Sequence, residues 1–225
     1  MIWIIFIGFA LLSWLVSHQL KRRFKQYSQI PTANGMSGKE VVEKMLRDHM
    51  IHGVKIESVE GQLTDHYNPA DKTINLSEEV YYGTNVAAAA VAAHETGHAI
   101  QHAQAYVWLG LRSTLVPAVS FSSKYVQWIL LGGILMVNSF PALLLFGIFM
   151  FAMTTLFSFI TLPVEIDASN RALVWMRTSG VASPDMHEKA EDALRWAGYT
   201  YVVAALASLA TLLYYVSIYM GGRRD

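Results

Sequence analysis

Apolar and polar positions divide the chain into long membrane-like runs and two more polar stretches. Residues 2–16 are apolar except for Ser13, and a basic cluster follows between positions 21 and 25. A secretory signal carries its positive charges before the apolar run, whereas here they come after it. The pattern therefore predicts a retained transmembrane anchor over residues 1–20, with its N terminus outside the cytoplasm.

Two further apolar runs lie later in the chain. The 37 residues from Val126 to Leu162 contain no charged side chain and are interrupted at 138–141 by Asn-Ser-Phe-Pro. At about 20 residues per crossing, this run predicts a transmembrane hairpin over residues 122–162, and the uncharged run at 199–220 predicts a last span. We therefore expect a mainly α membrane protein with about four transmembrane helices. The composition agrees, since 53% hydrophobic and 15% charged residues are unusual for a soluble domain.

The stretch between the anchor and the hairpin, residues 21–112, has the pattern of a small α+β domain. Ser37 and Glu40 have the spacing of a capping box, which predicts the start of a helix. From Val54 the apolar period changes to two, and the turn-forming segment 68–72 separates two strand-like runs. We expect a short antiparallel sheet directly before the next helix.

That next helix carries the most specific motif in the chain. His94-Glu95-Thr96-Gly97-His98 is an H-E-x-x-H motif, and the alanine-rich run before it places it in a helix. Positions i and i+4 share a helix face, so both imidazoles can bind one Zn²⁺ while Glu95 acts as general base for a zinc-activated water. Gly97 lowers helix propensity, which indicates a close approach by another segment. The motif predicts zinc-dependent hydrolysis, most often of a peptide bond.

A catalytic zinc site needs a third protein ligand. The extended motif with a third histidine is absent, since Gln101 and Gln104 stand at its glycine and histidine positions. His102 follows His98 by four residues, but three ligands along one straight helix cannot close on one ion, so we expect it beside the ligands or at the surface. The better candidate is Glu165, an acid directly after an apolar run. Ordinary interfacial charge is the alternative.

Other polar residues could support such a site. Asp167 could pair with a ligand histidine or with Arg171, and either contact would orient groups near the metal. His66 or Tyr67, in the predicted hairpin, could donate a hydrogen bond to the oxyanion of the reaction, although a polar cluster beside a turn is the alternative. Residues 163–198 would thus contain the third ligand and a further helix.

Charge and topology restrict the placement of the site. The hairpin gives an even number of crossings between the motif and Glu165, so all three ligands fall on one side of the membrane. Most of the 17 Lys and Arg lie in the stretches on that side, which predicts a cytoplasmic active site; the tail Arg223-Arg224 goes against this bias. The chain has no cysteine, which excludes thiolate ligands and disulfides. It also has no basic stripe of the kind that would predict nucleic-acid binding.

Three segments carry a family resemblance: residues 92–101 around the motif, residues 163–172 around Glu165, and residues 199–202 before the last span. Through them the chain resembles the bacterial membrane zinc metallopeptidases of the YugP type over nearly its whole length. The resemblance implies a zincin-like domain among membrane helices, with His94, His98 and Glu165 as ligands, in the bacterial inner (cell) membrane. More distantly the chain is similar to HtpX and the CAAX prenyl proteases, in which an aspartate follows the glutamate ligand by four residues. Here that residue is Ser169.

The leading hypothesis is an integral membrane zinc endopeptidase that acts on membrane or membrane-proximal proteins, with the lipid bilayer and a protein or peptide substrate as partners. One alternative is a non-catalytic membrane partner protein with a structural zinc site, and Glu95 argues against it because a structural site has no use for a base. The other alternative is a zinc hydrolase of lipid-modified substrates.

Overall fold

A computed structural model describes residues 2–221 of the chain, so Arg223-Arg224 lies outside the described residues. The chain is mainly helical with one three-stranded sheet, which confirms the predicted mainly α class. In chain order the elements are α1 (Ile2–Tyr27), α2 (Gly38–Asp48), β1 (Lys55–Val59), β2 (His66–Asn68), β3 (Thr73–Ser77), α3 (Glu78–Tyr81), α4 (Val86–Ala103), α5 (Val107–Leu135), α6 (Pro141–Thr178) and α7 (Pro184–Gly221).

The helix α2 forms as its sequence predicts. Ser37 caps it, because its hydroxyl accepts a hydrogen bond from the Glu40 backbone N–H and the Glu40 carboxylate accepts one from the Ser37 backbone N–H. Its buried face packs against α4. That face consists of Val41, Val42, Met45 and Leu46.

The sheet is mixed, so the prediction of an antiparallel sheet is only partly right. β2 and β3 form the predicted antiparallel hairpin, with Tyr67 opposite Ile74. β1, however, pairs with β3 in parallel, and the strand order is β1-β3-β2. The reason is that the chain passes from β1 to the far side of β3 before forming β2, so β1 and β3 are not hairpin neighbours. This order leaves β2 as an edge strand, and β2 contacts α4.

The helix α4 runs through the core of its unit. Asn85 caps its start by accepting a hydrogen bond from the Ala88 N–H at 2.9 Å. From Val86 to Gln101 every residue is buried except His94, which is partly exposed. The small alanine side chains are buried around the whole helix, so α4 holds the motif that it carries within the core.

The chain forms two compact units. Of the described residues, one unit contains those up to Leu15, Gly110–Leu162 and those from Thr200 to Gly221; the other contains Val16–Leu109 and Pro163–Tyr199. In the first unit α5 and α6 pack so closely that a Cβ on Gly133 would lie 2.6 Å from the Cα of Leu144. Such contacts between small residues are typical of membrane helices.

Within the described residues, three helices are long and apolar enough to cross a membrane: α1 from Trp3, α6 and α7. Three of the about four predicted spans are therefore found, and α5 is not among them. The physical reason is that Arg112, Lys124 and several serines interrupt the apolar character of α5. The break predicted at 138–141 does separate α5 from α6.

Two predicted segment boundaries fall inside continuous helices. α6 continues through Pro163, and its buried residues beyond that point, Val164, Ala168, Ala172 and Trp175, follow a helical spacing. A proline removes only one backbone donor, so the helix can continue when its next turns gain core contacts. α7 begins at Pro184, within the segment where a further helix is predicted, but it runs without a break to Gly221.

Candidate metal centre

The helices α4 and α6 bring three ligand-type side chains together. His94 and His98 lie on α4 and Glu165 on α6, and their ligand atoms all lie within 4.8 Å of one another. Oε2 of Glu165 is 3.3 Å from Nε2 of His94 and 3.5 Å from Nε2 of His98. Glu165 is 3% exposed and His98 is 7% exposed. A carboxylate and two imidazoles thus converge in a buried position.

These distances suit a zinc ion. Zinc binds imidazole nitrogen and carboxylate oxygen at about 2.0–2.2 Å in tetrahedral geometry, which places two ligand atoms roughly 3.4 Å apart. The two distances from Glu165, 3.3 and 3.5 Å, lie on either side of this value. The donor set of two histidines and one glutamate is also one that catalytic zinc sites use. The residues therefore fit the metal that the motif predicts.

A glycine lets the two ligand-bearing helices approach. A Cβ built on Gly97 would lie 2.6 Å from the backbone oxygen of Ala168. Since Gly97 lies between the two histidines and Ala168 lies one turn after Glu165, this contact sets the spacing of the ligands. The prediction that Gly97 marks a close approach by another segment is confirmed.

Each imidazole is held at its Nδ1 atom. Ser169 Oγ lies 3.1 Å from Nδ1 of His94, and Gln101 Oε1 lies 3.0 Å from Nδ1 of His98. Such contacts leave both Nε2 atoms free to face Glu165. Sequence reasoning noted Ser169 only as a departure from distant relatives and Gln101 only as a mismatch to a longer motif. The spacing of Gln101, three residues after His98 on a helix, was the one available signal.

Glu165 also alters the acid–base behaviour of His98 in the metal-free protein. Burial lowers the pKa of His98, but the hydrogen bond and negative charge of Glu165, the charge of Glu95 and the hydrogen bond to Gln101 together raise it by more. The net pKa of His98 is therefore above its usual value. Glu95 itself is 7% exposed, so the candidate general base is buried beside the imidazoles.

Asp167 has two partners. Its Oδ2 atom accepts hydrogen bonds from Nε of Arg171 and from Nε2 of Gln101, the latter at 2.8 Å. Of the two predicted partners, it thus contacts Arg171 directly and reaches a ligand histidine only through Gln101. Arg171 also donates to Gln104 Oε1 at 2.6 Å and lies over the ring of Tyr106.

The other candidates lie around the edge strand. Tyr67 Oη is 2.7 Å from Nδ1 of His102, which links β2 to the end of α4. Burial, with a smaller effect of the Asp71 charge, raises the pKa of Tyr67, so the phenol keeps its proton. His66 is exposed, and its ring nitrogens contact Thr64 and Asn75 within the hairpin region. An oxyanion role for any of these residues stays a prediction.

A cavity of about 540 Å³ lies near the start of α4 and is distinct from the metal centre. Its lining includes Lys21 and Lys25 of α1, Asp65, and Ala88 of α4, and none of the three ligand residues. Ala88 precedes His94 by six residues, which corresponds to about 9 Å along a helix. The cavity therefore belongs to a different part of the domain surface.

Comparison with known proteins gives one family and one relative. A family model described as "Putative neutral zinc metallopeptidase" matches residues 2–220. The chain is 38% identical over 214 residues to the "Putative membrane protease YugP" of Bacillus subtilis (strain 168), which covers 95% of this chain and 94% of the relative. No solved structure matches the chain. The resemblance to the YugP-type metallopeptidases is thereby confirmed.

Proposed function

Because the chain belongs to the neutral zinc metallopeptidase family, we propose that it is an integral membrane zinc endopeptidase that hydrolyses peptide bonds in membrane or membrane-proximal proteins. The observation that carries this proposal is the convergence of His94, His98 and Glu165, of which His98 and Glu165 are buried, at distances that suit zinc. Among the described residues this group has three members, whereas a structural zinc site has four protein ligands. The donor set therefore favours a catalytic site with a position open to substrate.

The buried acid Glu95 would supply the proton transfers. Zinc, when bound, supplies a Lewis acid that makes a water molecule easier to deprotonate and polarises the substrate carbonyl. Glu95 accepts the proton of the attacking water and returns it to the leaving amine. Its low exposure of 7% strengthens its electrostatic interaction with the reacting groups, because little solvent screens them.

The edge strand beside α4 is suited to hold the substrate. β2 has one unpaired edge and contacts α4, so an extended peptide could add to it by backbone hydrogen bonds. Tyr67, on this strand, and His102, one turn after His98, form a polar pair next to the substrate position. We propose that this pair supplies the hydrogen-bond donor that stabilises the oxyanion, because a neutral phenol is a good hydrogen-bond donor.

The positions of the ligands support a fourth membrane crossing. Glu165 lies beside His94 and His98, so the chain between them crosses the membrane an even number of times. If α6 crosses, then α5 must cross as well, although Arg112 and Lys124 make it less apolar. The concentration of Lys and Arg in residues 21–112 supports an active site on the cytoplasmic side of a bacterial inner membrane.

The proposal is tested with the detergent-solubilised protein, its Glu95→Gln variant and a Glu188→Gln variant. Glu188 is an exposed helical residue and provides the same chemical change away from the site. We measure zinc content and the cleavage of a fluorescently labelled unfolded protein. We expect all three proteins to hold one zinc, and Glu95→Gln alone to lose roughly 10²–10⁴-fold in cleavage rate.

Two results would count against the proposal. If the parent protein retains no zinc after purification and zinc addition, the proposed metal site is wrong. If the Glu95→Gln variant cleaves as fast as the parent, Glu95 is not the general base. Parallel assays with a peptide and its prenylated form distinguish a hydrolase of lipid-modified substrates, which would cleave only the prenylated form.

A further inference from the structure

Gln101 is a polar side chain in the middle of the core. Its exposed fraction is 0%, so its amide must find hydrogen-bond partners within the protein. Its Oε1 atom is 3.0 Å from Nδ1 of His98, and its Nε2 atom is 2.8 Å from both the backbone oxygen of Val164 and Oδ2 of Asp167. One side chain of α4 thus joins a metal ligand to two groups of α6.

The partners of Gln101 determine how its amide is oriented. A backbone carbonyl and a carboxylate accept hydrogen bonds and cannot donate them. The nitrogen of the amide must therefore face Val164 and Asp167, which leaves the oxygen to face His98. An amide oxygen only accepts, so Nδ1 of His98 carries a hydrogen, and in the neutral imidazole Nε2 keeps its lone pair for a metal ion that Glu165 would share.

We propose that Gln101 is a positioning residue that fixes the tautomer and ring orientation of His98 for zinc binding. The inference rests on the proposed zinc site. Carboxylates often hold metal-bound histidines in this way, whereas here a neutral amide does so. Asp167 acts one step further away, because it holds the amide of Gln101 in place.

The contacts of Asp167 explain why the amide does not rotate. Arg171 donates to the same Asp167 oxygen that accepts from Gln101, and it also donates to Gln104 at the end of α4. The hydrogen-bonded group therefore begins at Gln101 on α4, passes through Asp167 and Arg171 on α6, and returns to Gln104 at the end of α4. Rotation of the Gln101 amide would place its nitrogen against the hydrogen on Nδ1 of His98 and would bring its oxygen against two acceptors.

The first test compares Gln101→Met with Gln26→Met. Both changes replace a helical glutamine with an apolar side chain of similar length, but Gln26 is exposed on α1 and takes no part in the hydrogen-bonded group around Gln101. Zinc dissociation constants are measured by chelator competition, and the absorption spectrum of the cobalt-substituted protein reports ligand geometry. We expect Gln101→Met to weaken zinc binding roughly 10–100-fold and to change the cobalt spectrum, with Gln26→Met unchanged.

A second test separates orientation from packing. Gln101→Glu alone turns a carboxylate oxygen toward both Asp167 and the Val164 carbonyl, so we expect weak zinc binding. Adding Asp167→Asn supplies an amide that can donate to the new carboxylate, whose other oxygen can accept from His98. The double variant should therefore regain part of the zinc affinity lost in Gln101→Glu, the remaining loss being the donor to Val164. Melting temperatures in excess chelator show whether each metal-free variant is folded.

The outcomes are distinguishable. If the parent binds zinc and Gln101→Met binds it equally well, the positioning role is wrong while the proposed function stands. If the double variant binds no better than Gln101→Glu, the hydrogen-bond account is also wrong. If the parent itself binds no zinc, the proposed function fails and this inference fails with it.

Discussion

Gly97 on α4 faces the backbone carbonyl of Ala168 on α6, and a Cβ at Gly97 would lie only 2.6 Å from that oxygen. Gly97 directly precedes His98, and Ala168 directly precedes Ser169, which contacts the other histidine. The position of each ligand histidine relative to Glu165 therefore depends on the closeness of these two backbones.

We expect Gly97→Ala to separate the helices and weaken the metal site. Overpacking of this kind costs about 1–3 kcal/mol, partly offset by about 1 kcal/mol of improved helix propensity. The matched control is Gly110→Ala, also in a helix, where a Cβ meets nothing within 4 Å. Melting temperature and zinc affinity are compared for both. Equal behaviour of the two variants would show that the close approach does not limit the site.

The ion pair of His98 and Glu165 predicts how the metal-free protein responds to pH. Burial lowers the pKa of His98, but Glu165, with Glu95 and Gln101, raises it by more, so the folded pKa lies above the unfolded value of about 6.5. A raised folded pKa stabilises the protein below the unfolded pKa, and this stabilisation is lost as pH rises through the folded pKa. In excess chelator we expect the melting temperature to fall as pH rises above about 6.5 and through the raised pKa of His98.

Glu165→Gln removes the charge that raises the pKa of His98. We expect its metal-free form to show a smaller loss of stability over the same pH range, and its zinc affinity to fall by more than the roughly 10–100-fold typical of changes outside the ligand set. Melting curves and chelator competition measure the two effects. An unchanged pH dependence in Glu165→Gln would contradict the assigned cause of the His98 shift.

Tyr67→Phe tests the proposed oxyanion donor. Loss of one such donor lowers kcat by roughly 10²–10³-fold, while zinc content and KM should change little because the ground state does not use the contact. Tyr82→Phe is the control, since Tyr82 is 68% exposed. A kcat equal to that of the control would exclude Tyr67 as the donor, and His102→Asn would then show whether the histidine acts alone.

The absence of cysteine makes a membrane topology test simple, because each introduced cysteine is the only one in the chain. We place single cysteines at the exposed positions Ser28, Ser139 and Thr178 and label intact cells with a membrane-impermeant thiol reagent. Four crossings predict that only Ser139→Cys is labelled from outside, since it lies between α5 and α6. Labelling of Thr178→Cys but not Ser28→Cys would contradict a second crossing by α5.

Local spacing accounts for the features that the sequence alone determined. The H-E-x-x-H motif, the capping box at Ser37 and the break before Pro141 depend on residues within four or five positions of one another, where the geometry of a helix or turn is nearly fixed. Gly97 was recognisable because a glycine is costly within a helix. Glu165 could be proposed as the third ligand because an acidic residue directly after an apolar run is unexpected unless it has a binding role.

The tertiary structure alone decided the contacts between distant segments. Ser169 meets His94 across 75 positions, and Gln101 reaches Val164 across 63, so no periodicity in the sequence encodes these pairs. The parallel pairing of β1 with β3 likewise depends on the path of the chain around the sheet. Motif residues are thus set by local backbone geometry, whereas the residues that orient them are set by the packing of α4 against α6.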